Sequence, residues 1–314
     1  MFMRSNFDKL LTQEEFRQHG GYHMSEKWTV GFVGTGVMGK SIVKHLLADG
    51  HAVSIYTRTK EKANELIELG AKWSQTPGEV ASSSDVIFTM VGYPSDVKEV
   101  YYGDQGIFKH GKSGLIVVDL TTSTPTLAIE LAESAQKLGM DSLDAPVSGG
   151  DIGAKTGKLS IMVGGEKEVF DKLSPLFELF GEHVIYQGKA GAGQHTKMCN
   201  QIAIASSMIA ACEALAYAIE AKLDPENVLK SITTGAAGSW SLSNLAPRML
   251  KGDFSPGFYM KHFIKDMGIA LDESKRMNLN LPGLELAYSM YQDLAEKGLE
   301  NEGTQALHKA YQSK

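Results

Sequence analysis

Thr29-Val-Gly-Phe-Val-Gly34-Thr-Gly36-Val-Met-Gly39-Lys40 is the stretch whose reading decides the fold. A short apolar run breaks into glycines spaced G-x-G-x-x-G, and an amphipathic stretch then continues through Leu47 until Gly50 stops it. That order is strand, tight turn, helix. Ala52–Tyr56 reads as a second strand, closing a βαβ unit whose strands must run parallel. The alternation goes on with a helix over 60–69, strand 86–91, helix 96–102, strand 115–120, helix 125–138 and a strand around 142–145. Strand 158–163, helix 167–180 and strand 184–187 complete it. The expected class is α/β, with a doubly wound, mainly parallel sheet.

Inside a βαβ unit the three glycines have separate uses: Gly34 permits the turn, Gly36 lets a pyrophosphate approach the backbone, and Gly39 lets helix and strand pack closely. This is the fingerprint of a Rossmann dinucleotide-binding domain, with Gly34, Thr35, Gly36, Val37, Met38 and Gly39 as its phosphate loop. At the end of the second strand an NAD enzyme usually places a carboxylate for the ribose hydroxyls. Here stand Thr57, Arg58 and Thr59. A guanidinium between two hydroxyls suits a 2′-phosphate, so NADP(H) is expected in preference to NAD(H).

The pattern changes after Gly188-Lys-Ala-Gly-Ala-Gly193, where an Ala-rich helix runs from Gln194 to Lys222 and no convincing strand follows. Residues 28–188 are therefore expected to form the Rossmann domain and 189–314 an all-α domain, with the glycines between as a hinge. The long helix is apolar all round, so its own domain or a second subunit must bury it. Residues 1–27 fit neither domain. Gly20-Gly21-Tyr22-His23-Met24 is what a purine-rich ribosome-binding site and a start codon would encode, so Met24 is expected to be the native start, the alternative being a genuine N-terminal arm.

Composition narrows the function. With 43% hydrophobic and 22% charged residues the chain is an ordinary globular one, and its 314 residues suit two domains. A net charge of −6 without a basic run argues against a nucleic-acid partner. No unbroken apolar stretch reaches the ~20 residues of a membrane span, and the N-terminus is too polar for a signal peptide, so a cytoplasmic protein with no membrane partner is expected. Cys199 and Cys212 lie several turns apart on one helix and are read as buried free thiols. The 9 histidines form no ligand spacing, and no metal is expected.

The 33 glycines gather at three places, of which the phosphate loop is the first. The second is Asp144-Ala-Pro-Val-Ser148-Gly149-Gly150, at the carboxyl edge of the sheet, where open α/β sheets bind ligands. Its hydroxyl and free backbone N–H groups suit a carboxylate, although a plain turn reads the same way. The third is Gly191-Ala-Gly193-Gln-His-Thr-Lys197-Met-Cys-Asn200-Gln201, which sets a lysine on the first turn of the long helix with Asn200 and Gln201 on the same face. A helix N-terminus and apolar walls would lower the pKa of that lysine, whereas solvent exposure would leave it an ordinary surface group. The residues alone leave both readings open. His195 is a rival base, pointing about 160° away around a helix of 3.6 residues per turn.

These three clusters, together with Lys265-Asp266, resemble the β-hydroxyacid dehydrogenase family from about Trp28 to the C-terminus. The resemblance implies that Lys197 is the general acid/base and that Ser148, Gly149 and Gly150 hold the substrate carboxylate, with Asn200 and Gln201 orienting substrate or lysine. It implies too that Val91, Gly92, Asp96 and Thr122 line the cofactor, that Lys265 reaches it from the helical domain, and that Phe258 and Asp266 close the pocket. Members often have a second Asn in place of Gln201 and Leu-Pro in place of Val91-Gly92. Family members assemble through the long helix, so a homodimer or homotetramer is expected. The implied reaction interconverts a small hydroxy acid and its aldehyde by hydride transfer. The alternatives are an imine reductase-like enzyme, which generally lacks the lysine, and a non-catalytic nucleotide-sensing protein, which would have no use for it.

Overall fold

The computed structural model describes residues 27–312; residues 1–26, and with them the expectation about Met24, lie outside it. Nine strands form one sheet: β1 (Thr29–Val33), β2 (Ala52–Tyr56), β3 (Lys72–Trp73), β4 (Val86–Thr89), β5 (Ile116–Asp119), β6 (Asp141–Asp144), β7 (Val147–Ser148), β8 (Leu159–Gly165) and β9 (Gly181–Gly188). The first six lie in the order β3-β2-β1-β4-β5-β6, all parallel, which is the doubly wound arrangement with its crevice beyond the carboxyl ends of the strands. β8 runs antiparallel to β6 and β7 and parallel to β9.

The parallel strands are apolar without interruption because both faces are covered. Val30, Phe32, Val86, Phe88, Ile116 and Val118 face one core, under helices Val37–Ala48 and Lys167–Phe177. Val33, Ile87 and Val117 alternate onto the other, under helices Pro77–Ser82, Pro94–Tyr102 and Pro125–Lys137. Prolines at the first turns and threonine caps at Thr76 and Thr124 start two of these helices.

Several expectations change in detail. Residues 60–69 form a 3-10 turn, Lys60–Ala63, and then a short helix, Asn64–Glu68. β3 and the helices Pro77–Ser82 and Gly150–Thr156 are additional, being too short or too glycine-rich to show a period. The long helix runs Ala192–Glu220, starting before Gln194, so Lys197 sits in its second turn rather than its first. By length and composition that helix could cross a membrane, with a mean hydropathy of 1.8 over 18 residues. The expectation that no such stretch exists counted unbroken apolar runs, and scattered serines and glutamines hid this one. It is the central element of the helical half: Met208, Cys212 and Leu215 on it pack with Phe263, Met267 and Tyr291 in a separate core. Cys212 is buried as expected, whereas Cys199 is exposed, because a helix with little amphipathic contrast does not announce which side is covered.

The glycines between the two halves form a clamped joint and not a loose hinge. Gly191 takes φ +90° at the helix start, and a Cβ on Gly193 would lie 2.4 Å from the Met162 carbonyl oxygen and 2.6 Å from that of Asp144.

Candidate active site

In the Gly34–Gly39 turn two glycines are required by the fold and one borders open space. A Cβ on Gly34, which has φ +100°, would lie 2.1 Å from the Met90 carbonyl oxygen, and one on Gly39 would lie 2.1 Å from that of Gly34. A Cβ on Gly36 would meet nothing within 4 Å. Gly36 caps the Val37–Ala48 helix, which has neither a side-chain cap nor an acidic residue in its first turn, so the N–H groups there have no side-chain partner. Val37 is exposed, Met38 half-buried, and the buried Thr35 Oγ1 has no protein partner. These residues fit a dinucleotide pyrophosphate.

At the end of β2, Thr57 is half-buried while Arg58 and Thr59 are exposed, the Arg58 side chain by 84%. Its Nη1 lies 3.8 Å from Asp96 Oδ1. The sequence shows no carboxylate at this point, but the fold brings one from the turn after β4. Asp96 also accepts a hydrogen bond from the Tyr93 N–H at 3.1 Å, capping its own helix. Next to it the Val91 N–H donates to Thr121 Oγ1 at 3.0 Å. A Cβ on Gly92 would sit 3.3 Å from His262 Cε1, a ring that reaches over from the helical half and packs on Tyr93 at 5.3 Å between centroids. A side chain at 92 would crowd that contact.

Lys197 is buried, and its Nζ donates to the Val147 carbonyl oxygen at 2.8 Å. Removal from water pushes its pKa down to about 8; Asp266 opposes the shift and Lys265 adds to it. Burial is therefore the largest influence on this amine, ahead of the two neighbouring charges. Val147 directly precedes Ser148, Gly149 and Gly150, all half-buried, where Gly149 (φ +128°) and Gly150 (φ +64°) turn the chain into the Gly150–Thr156 helix. The lysine and the candidate carboxylate nest are thus neighbours. On the same face of the long helix the half-buried Asn200 donates to Gln201 Oε1 at 2.7 Å, and the buried Gln201 donates to Asp266 Oδ2 at 2.6 Å. Asp266 Oδ1 lies 2.8 Å from Lys265 Nζ, which also donates to the Thr122 carbonyl oxygen. Phe258 packs on Phe263 at 5.9 Å, and no bond ties it to this chain of polar groups. His195 is exposed, on the far side of the helix from Lys197.

Sequence reasoning passed over the groups beneath this site. Asp144, at the end of β6, accepts the Gly191 and Gln194 N–H groups, each at 2.8 Å, and so caps the long helix from another element. Its register partner on β5, Asp119, accepts from Thr89 Oγ1 at 2.8 Å and from the Thr121 N–H at 3.0 Å. Burial raises the pKa of each to about 6 against those hydrogen bonds. Two carboxylates in adjacent strand ends were the available signal. Among the described residues no three His, Cys, Asp or Glu side chains gather as a metal site would need.

Residues 29–188 match the family model for the NAD binding domain of 6-phosphogluconate dehydrogenase, and residues 191–311 match that for the NAD-binding region of NADP-dependent 3-hydroxyisobutyrate dehydrogenase. The chain belongs to the β-hydroxyacid dehydrogenase family. It is 61% identical to the Bacillus subtilis oxidoreductase YkwC, over 91% of this chain and 99% of that one. It is 39% identical to the Escherichia coli 2-hydroxy-3-oxopropionate reductase, over 90% of this chain and 94% of that one. The solved 3-hydroxyisobutyrate dehydrogenase of Mycobacterium tuberculosis, with L-serine, superposes with a TM-score of 0.83 at 27% identity, covering 92% of this chain and all of that one. The chain is thus an NAD(P)-dependent oxidoreductase of hydroxy acids.

Proposed function

We propose that this family member reduces a short aldehyde bearing a carboxylate to its hydroxy acid with NADPH, using Lys197 as the proton donor. The observation that carries the reading is one buried amine, pKa near 8, lying 2.8 Å from the carbonyl of the residue before Ser148-Gly149-Gly150. Gly34 to Gly39 would hold the pyrophosphate, Arg58 with Thr57 and Thr59 the 2′-phosphate, and Val91, Gly92, Asp96, Thr122 and Lys265 the remainder of the dinucleotide. When bound, the reduced nicotinamide supplies the hydride. Ser148 Oγ and the N–H groups of Gly149 and Gly150 bind the substrate carboxylate, fixing the carbonyl at the lysine. The Lys197 ammonium gives its proton to the carbonyl oxygen as the carbon is reduced; in oxidation the neutral amine takes the hydroxyl proton. Gln201 and Asp266 keep a negative charge close to that ammonium, and Asn200 holds Gln201. Phe258 would close the pocket from the helical half.

The name of the Escherichia coli relative, a reductase of 2-hydroxy-3-oxopropionate, supports an aldehyde with a carboxylate within two carbons. An imine reductase-like or purely sensing role leaves the buried lysine without a use. Exposed Tyr217, Ile219 and Leu223, at the outer end of the long helix, favour a homodimer or homotetramer through the helical half. A panel of short aldehyde-acids with NADPH and NADH tests substrate and cofactor together. Lys197→Ala should lower turnover by about 10²–10⁴-fold while leaving NADPH binding intact by titration; undiminished turnover would remove Lys197 from the chemistry.

A further inference from the structure

Gln194 is fully buried one turn before Lys197 and takes part in three hydrogen bonds to the dinucleotide-binding half. Its Oε1 accepts the Ser123 N–H at 2.9 Å, its Nε2 donates to the Thr121 carbonyl oxygen at 2.7 Å, and its own N–H donates to Asp144 Oδ2 at 2.8 Å. Thr121 and Ser123 flank Thr122 in the loop after β5 that would line the cofactor. That loop is further held by the Thr121 N–H on Asp119 and by Thr121 Oγ1 under Val91. The remaining bonds at the start of the long helix point the same way: Thr196 Oγ1 donates to Gln187 at 3.2 Å and Lys197 Nζ to Val147, with Gly193 pressed against β6 and β8. By contrast Lys265, His262 and Arg276 come from the separate helix Met260–Arg276 and reach the cofactor half with their side chains, at Thr122, Tyr93 and Thr126.

We infer that Gln194 is a positioning residue that locks the Thr121–Ser123 loop to the first two turns of the Lys197 helix, so that hydride donor and proton donor sit on one rigid body although the lysine belongs by sequence to the helical half. The separate helix Met260–Arg276 then supplies only the closing groups, Lys265 and Asp266. A buried glutamine suits this task because one planar amide presents a donor and an acceptor to two backbone groups of the same loop, leaving none of the four atoms unpaired. The inference rests on Lys197 being the acid/base and on the Thr122 loop lining the cofactor.

Gln194→Met has similar length and no polar tip, and it strips both side-chain bonds from the loop. The expected result is a fall in kcat of about 10²-fold, as a misplacement near 1 Å costs, with the aldehyde KM within threefold. The primary isotope effect with deuterated NADPH should rise, because hydride transfer becomes limiting, while the pH midpoint of kcat/KM stays in place because the surroundings of Lys197 are unchanged. If Gln194→Met does not fold, Gln194→Ala, which leaves room for water to pair both backbone groups, should show the same rise in isotope effect with a smaller loss of kcat. Unchanged kcat and isotope effect, or a loss of kcat matched by an equal loss of folded protein, would overturn the inference. Lys197→Ala measured beside it separates the two failures: if that variant also turns over normally, the catalytic assignment underneath has failed.

Discussion

Two glycine-rich turns in this molecule each lead into a helix, and they differ in what fills the space a side chain would take. At Gly36 that space is open for 4 Å, whereas at Gly193 it is taken by the carbonyl oxygens of Met162 and Asp144 at 2.4 and 2.6 Å. The helix after Gly36 has uncapped N–H groups, while the helix after Gly191 has its N–H groups claimed by Asp144. One helix start is left open, as binding of an anion from outside would require, and the other is satisfied by a carboxylate from inside. At the first turn Gly36 leaves room that a ligand could fill, whereas Gly193 at the second fastens the Lys197 helix to the sheet.

Substitutions at the two turns should therefore fail differently. Gly193→Ala puts a methyl group against two backbone oxygens that have nowhere to go, and it should destabilise the protein by about 3 kcal/mol, the upper part of the overpacking range. A thermal melt equal to that of the parent chain would contradict the packed joint. Gly36→Ala should leave the melt of the cofactor-free protein unchanged and weaken NADPH about tenfold, or ~1.4 kcal/mol, by filling the room for the pyrophosphate. A lowered melt with unchanged NADPH affinity would reverse the comparison. Arg58→Ala, at the rim of the open turn, should raise the NADPH KM about tenfold, as for one lost charge-assisted contact of ~1.5 kcal/mol, and leave the NADH KM alone. An equal effect on both cofactors would make Arg58 an ordinary surface residue.

What the sequence disclosed follows the same division. The open turn was legible because its signal is local: glycine spacing, a strand before it and a helix after it all lie within Thr29–Leu47. The closed turn was legible only as glycines, and it was read as a hinge because nothing in its own residues says that Asp144 and Met162 arrive beneath it. Asp96 is placed at the cofactor by resemblance alone, and its pairing with Arg58 is hidden for the same reason, since it arrives from the helix that follows β4. Lys197 stood between these cases. Its position on the long helix was evident, but the groups that face its amine, Val147, Lys265 and Asp266, come from two other segments. Cys199, two residues on, shows how little an almost uniformly apolar helix reveals about its covered side.

The central claim, that Lys197 exchanges the proton, is tested most directly by the pH dependence of kcat/KM for aldehyde reduction. A general acid must be protonated, and burial sets the Lys197 pKa near 8. Reduction should therefore be level below that pH and fall tenfold per unit above it, with oxidation of the hydroxy acid rising through the same midpoint and levelling above it. In Lys197→Ala the residual rate should lose this midpoint. A reductive profile that is flat from pH 7 to 10 in the parent protein, or a midpoint that survives in Lys197→Ala, would contradict the account.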